Sequence, residues 1–103
     1  MVRTTDCFGR EVRLTNERIL HILGRAEMRG MRDEIIRALQ DPAEVRASRS
    51  DTALRLFYEF YSRTLVGNKW LCVVVKYLVD DAFVSTAYLA DKLKTGELLW
   101  PIK

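Results

Sequence analysis

Residues 54–89 read LRLFYEFYSRTLVGNKWLCVVVKYLVDDAFVSTAYL, and this stretch decides the fold class. Leu54–Arg63 is a long aromatic strand. Gly67-Asn68 supplies turn residues, because glycine tolerates positive φ and asparagine hydrogen-bonds its own backbone. Lys69–Leu78 is apolar on both faces and reads as a central strand. Asp80-Asp81 marks another turn, and Phe83–Leu89 is the last clear strand. Turns this short join antiparallel neighbours.

Upstream, Glu44–Ser48 alternates, with Val45 and Ala47 on one side and Arg46 and Ser48 on the other. A polar corner at residues 49–52 separates it from the aromatic strand. Before that the period changes. Met28, Met31, Ile35 and Leu39 recur at helical spacing and predict a helix over Glu27–Gln40, weakened at Gly30 and stopped by Asp41-Pro42. Thr15 suits an N-cap, Glu17 favours a helix N-terminus, and Gly24 is a stop, so a first helix is expected over Asn16–Leu23. The opening TTDCFGREVRLT places Gly9 between two β-like runs and predicts a tight hairpin at Phe8-Gly9-Arg10. Downstream, Lys92–Gly96 reads as a polar connection. LLWPI is an extended tail that Pro101 would keep at an edge or off the sheet.

Helices followed by consecutive strands mean an α+β domain. The expected architecture is a short N-terminal hairpin and two helices packed on one face of a four-stranded antiparallel sheet, with residues 1–103 forming one domain. Two helices cover one face, and the other face is left for a ligand, a partner or solvent.

A net charge of +3 permits nucleic acid as a partner without demanding it. Residues 1–50 hold ten arginines and no lysine against eight acids. Arginine forks suit phosphate oxygens, and the interleaved acids suit a salt-bridged surface. Cys7, Cys72 and one histidine make no zinc spacing, so neither metal nor cofactor is expected. The N-terminus lacks the apolar core of a signal peptide and no apolar run is long enough to span a membrane, so the expectation is a cytoplasmic protein without membrane contact.

No GxSxG, P-loop, GxGxxG or HExxH pattern occurs. The candidates are single residues. His21, the only histidine, lies about 200° around its helix from Ile19 at ~100° per residue, away from the apolar stripe. It is a general base or acid, or a plain surface histidine beside Glu17 and Arg25. Lys76 interrupts a core strand and either meets an anion or snorkels to water. Thr86 and Tyr88 share a face opposite Ser85, and either bind phosphate oxygens or bond across the sheet. A two- or four-residue turn at Asp80-Asp81 pairs Lys76 with the Ser85 face, and a three-residue turn pairs it with Thr86 and Tyr88. Tyr58, with Phe57, Phe60 and Tyr61, stacks on bases or fills the core. Arg46 and Arg55 flank an anion site, or Arg55 pairs with Glu59.

The segments DCFGREVRLTNERILHIL, ALQDPAEVRASRSD and VVVKYLVDDAFVSTAYLADKLKTGELLW resemble the barnase–EndoU–colicin–RelE-like (BECR) group of small bacterial and phage nuclease domains. The more specific pieces are ER..HI and TAYL.DK.K.G..LW. The resemblance implies a RelE/barnase-like sheet with RNA on its exposed face. It also implies a metal-independent endoribonuclease of toxin type, in which the RNA 2′-hydroxyl attacks the adjacent phosphate. Its matching positions are His21 for proton transfer, Lys76 for the phosphate and Thr86 with Tyr88 on the last strand, and Ser48 fits V.AS..D. The implied partners are RNA, as ribosome-associated mRNA or tRNA, and an antitoxin protein; the edge strands and the Trp100 tail separately allow a monomer or a homodimer. The chain departs from the pattern at Arg25-Ala26, where many relatives carry a second histidine and a proline, at Ile19 in place of tryptophan, and at Glu59 in place of a basic residue. Those departures put a two-histidine mechanism in question and leave room for the alternative, a non-catalytic RNA- or protein-binding domain.

Overall fold

A computed structural model describes residues 1–102. In chain order the elements are β1 (Val2–Thr5), β2 (Glu11–Leu14), α1 (Asn16–Leu23), a 3-10 turn (Ala26–Met28), α2 (Arg32–Gln40), β3 (Glu44–Ala47), β4 (Leu54–Thr64), β5 (Gly67–Tyr77), β6 (Ala82–Ala90) and β7 (Leu98–Trp100). No helix among the described residues is long and apolar enough to cross a membrane.

The four expected strands, β3 to β6, form the antiparallel centre. The four-stranded architecture itself is overturned. The sheet has seven strands in the order β1-β2-β6-β5-β4-β3-β7 and curls into a half-barrel. It is mixed, because β2 meets β6 in parallel at Arg13 and Phe83. The N-terminal hairpin is therefore part of the sheet, and the tail pairs with β3 through Trp100 and Leu98. The physical reason is the edges. Four strands alone would leave the outer backbone groups of β3 and β6 without partners, and the two short outer segments cover them. The Trp100 side chain is likewise no free tail: it packs against the main core, edge-on to Phe8 at 5.8 Å.

Helix α1 starts as expected, with the Thr15 hydroxyl accepting from Arg18 N at 3.2 Å. The second expected helix is broken. Gly30 adopts φ +78°, and α2 begins only at Arg32. Met28, Met31, Ile35 and Leu39 are buried nonetheless, so the apolar spacing tracks burial through a kinked segment. The helices cover one face of the sheet, over Val45, Phe57, Leu71, Val73, Val75 and Ala87.

The opposite face carries a smaller core of Leu56, Tyr58, Cys72 and Val74, flanked by Leu54, Trp70, Tyr88 and Leu93. Leu93 comes from the connection after β6, expected to be merely polar. That connection crosses the face as a strap: Lys94 N donates to the Tyr58 hydroxyl at 3.1 Å, and Ala47 N donates to Glu97 O at 2.9 Å. Gly96 makes this possible, because a Cβ there would lie 2.2 Å from Ala47 O. The face opposite the helices is thus partly covered by the chain itself.

Candidate functional site

What the strap leaves open is a cavity of about 490 Å³ on that face. Its floor is Leu54, Leu56 and Val74 from β4 and β5. Hydroxyls of Ser48, Ser50, Thr86, Tyr88 and Thr95 rim it, with two cations, Arg49 from the β3–β4 corner and Lys94 from the strap. No carboxylate belongs to its lining. Arg49 Nη1 donates to Thr95 Oγ1 at 3.2 Å, which ties the corner to the strap. The Ser48 and Ser50 hydroxyls are 3.2 Å apart. The Lys94 ammonium lies 5.6 Å from the Tyr88 ring centre, a cation–π distance.

Thr86 and Tyr88 reach this face through a β-bulge. Residues 78–81 make the β5–β6 turn, and Lys76 pairs with Phe83, which on regular pairing would align Lys76 with Ser85. The register shifts between Val74 and Val75, so that Val75 faces Val84 but Val74 faces Thr86. Ser85 is the extra residue, and it flips the faces beyond it. Lys76 and Thr86 therefore share a face. Lys76 is not a free cation, however: its Nζ lies 3.2 Å from Asp51 Oδ2. The carboxyl of Asp51 is held below its ordinary pKa by the Ala53 N–H first and by Lys76 second.

A different cation attends Thr86. Arg25, just past α1, donates from Nη2 to Thr86 Oγ1 at 3.3 Å and to the carbonyl of Ala87. This guanidinium covers β6 where β2 no longer pairs with it, and its Nε is buried without a partner. His21 is exposed in the last turn of α1, and no hydrogen bond or ion pair among the described residues joins it to Thr86 or Lys76.

Ser48, Thr86 and Tyr88 thus meet in one cavity. Arg46 shares their face but is paired with Glu44 at 2.8 Å and also donates to Gly96 O at 3.1 Å. Arg55 lies on the helix-bearing side, 4.2 Å from the Tyr77 ring centre and 4.7 Å from that of Phe8. Tyr58 is fully buried under the strap. Of the aromatic run, Phe60 is the exposed member, edge-on to Trp70 at 5.2 Å.

The titratable groups limit the chemistry. Burial pushes the Cys7 thiol up to about 12 and raises Cys72, so neither is a thiolate nucleophile near neutrality. Burial pushes Tyr58 up to about 12. Burial, and then the Cys72 thiol, raises Tyr88 as well, so it acts as a neutral phenol. Its buried hydroxyl has the Cys72 thiol, a weak partner, beside it and forms no stronger hydrogen bond. Among the described residues no group of three or more His, Cys, Asp or Glu side chains is placed to hold a metal ion.

Sequence reasoning missed Arg49, Lys94, Thr95 and Arg25. Lys94 and Gly96 stand inside the motif TAYL.DK.K.G..LW, and that spacing was the available signal. Arg25 carried one only through the resemblance, at the place of the second histidine, and its partner Thr86, 61 positions away, was not foreseeable. Compared with protein-family models, curated proteins and solved structures, the chain finds no match.

Proposed function

We propose that this domain binds single-stranded RNA at the cavity between the β3–β4 corner, β6 and the strap. The observation that carries this reading is the cavity's lining: cations and hydroxyls at the rim, an apolar floor and no carboxylate. Arg49 and Lys94 neutralise phosphate, the hydroxyls of Ser48, Ser50, Thr86 and Thr95 donate to its oxygens, and a base lies on Leu54, Leu56 and Val74. A volume of about 490 Å³ falls in the range of sites for small organic ligands and accommodates one nucleotide unit. Unpaired strands fit such a site, because their bases are free to leave a stack. Titration of a fluorescent single-stranded RNA should show binding by the wild type and weakening in Arg49→Ala and Lys94→Ala. Equal affinity in all three proteins would refute the site.

Cleavage is the second reading, and the contact from Arg25 to Thr86 favours it. That contact puts a guanidinium beside the hydroxyl, with the exposed His21 four residues earlier in the chain. In such a reaction His21 would take the 2′-hydroxyl proton as the 2′-oxygen attacks phosphorus, and the P–O5′ bond would break with the 5′-oxygen protonated by water. Arg25, rather than the paired Lys76, would offset charge on the phosphorane. RNA left intact in EDTA by protein that still binds it would leave the domain a binder.

A further inference from the structure

A second cleft, of about 480 Å³, lies on the helix-bearing side, between the start of α2 and the end of the β4–β5 hairpin. Arg29, Arg37 and Arg63 line it. The one acid in the lining, Glu34, lies 3.6 Å from Arg37, while Arg29 and Arg63 have no acidic partner among the described residues. At the cleft's edge the hairpin tip holds Leu65 and Val66 in solvent, 69% and 50% exposed. The tip is a built turn. Gly67 takes φ +94°, Val66 N donates to Thr64 Oγ1 at 3.2 Å, and Thr64 Oγ1 donates to Gly67 O. Two branched aliphatic side chains are therefore presented beside unpaired guanidinium groups on a fixed loop.

We propose that this cleft docks an acidic segment of a partner protein, whose carboxylates meet Arg29 and Arg63 and whose apolar side chain covers Leu65 and Val66. Charge complementarity sets the sign of the partner. The apolar tip sets its class. Leu65 and Val66 are exposed aliphatic side chains that a partner's apolar side chain covers, and the Glu34 carboxylate is already offset by Arg37. Arginine paired with carboxylates around an apolar anchor is the composition of a protein interface. The inference is independent of the RNA cavity, with which this cleft shares no residue.

The test uses the intact chain, labelled with nitrogen-15, and a short synthetic peptide of glutamates flanking two leucines. The amides of Gly30, Arg63, Leu65 and Val66 should shift, and those of Ser48 and Thr86 should not. Replacing the peptide's leucines by serine, or introducing Arg63→Glu or Leu65→Ser, should weaken binding on the order of tenfold. The exposed positions of Arg63 and Leu65 let both variants keep the wild-type melting temperature. Absent shifts at the cleft, equal binding of the leucine-free peptide, or peptide shifts at Thr86 instead would each overturn the proposal. Shifts at the cleft produced by a uridine oligonucleotide would overturn it in favour of nucleic acid.

Discussion

Gly96→Ala joins the fold to the site in one perturbation. The added Cβ would lie 2.2 Å from Ala47 O and 3.4 Å from Ala47 C, and both are backbone atoms that cannot swing aside. An ordinary carbon–oxygen approach is about 3.3 Å or more, so the strap must retreat by roughly 1 Å. That movement stretches the bonds from Ala47 N to Glu97 O, now 2.9 Å, and from Arg46 Nη1 to Gly96 O, now 3.1 Å. A neutral bond contributes about 1 kcal/mol net and one to a charged group about 1.5–3 kcal/mol. Alanine also stiffens the unfolded chain, which returns about 0.4–1 kcal/mol. The expected destabilisation is about 2–3 kcal/mol, a melting temperature lower by roughly 8–20 °C for a domain of this size. Thermal unfolding followed by circular dichroism measures it. Lys94 and Thr95 ride on the same strap, so RNA affinity should fall as well. A variant that melts within roughly 2 °C of wild type, below the shift of a 1 kcal/mol change, and keeps full affinity would refute the account of the strap.

Tyr88→Phe removes a buried hydroxyl whose neighbour is the weakly hydrogen-bonding Cys72 thiol. Stability should hold or rise by up to about 1 kcal/mol, because the lost bond to a thiol is weak and a buried polar group is removed. A clear loss of stability in urea unfolding would mean that the hydroxyl is already satisfied. Asp6 is buried, receives hydrogen bonds from Phe8 N, Arg10 N and the Tyr77 hydroxyl, and has its pKa raised above 3.8, chiefly by burial. A carboxyl raised in the folded state contributes stability below its unfolded value, and loses it as pH rises through the folded value. Asp51, Asp81 and Asp91 have lowered values and act in the opposite sense, losing their contribution as pH falls. The reading is therefore the difference between proteins: Asp6→Asn should gain relative to wild type as pH rises above 3.8, in melting curves taken across that range. A parallel pH dependence of the two proteins would show that Asp6 does not titrate with folding. If the domain cleaves RNA, His21→Ala should abolish cleavage and leave binding within about twofold, since Arg49 and Lys94 carry the phosphate contacts. Persistent cleavage in that variant removes His21 from the chemistry.

The central strands were legible because their signals are local. Alternation in Glu44–Ser48, the aromatic run from Leu54 and the turn residues Gly67 and Asp80-Asp81 put β3 to β6 within two residues of their observed ends. The outer strands were legible as segments but not as sheet members. Their pairings, Arg13 with Phe83 and Val45 with Trp100, join distant parts of the chain and leave no period in either segment. Helix two failed at Gly30, whose cost in a helix was visible and whose left-handed backbone was not. The face shared by Lys76 was undecidable from turn length alone, because a bulge at Ser85 reset the register. For the site, Ser48, Thr86 and Tyr88 were named and do line one cavity, while the cations beside them come from a connection whose folding back depends on Gly96.

The cavity is most directly tested by the salt dependence of binding to a single-stranded RNA, measured by fluorescence anisotropy for the wild type and for Arg49→Ala/Lys94→Ala. Each phosphate contact to an unpaired strand contributes about 0.7 to the slope of log affinity against log salt. The account predicts weaker binding and a slope shallower by about 1.4 in the double variant, two contacts' worth. Equal affinity and an unchanged slope would contradict it.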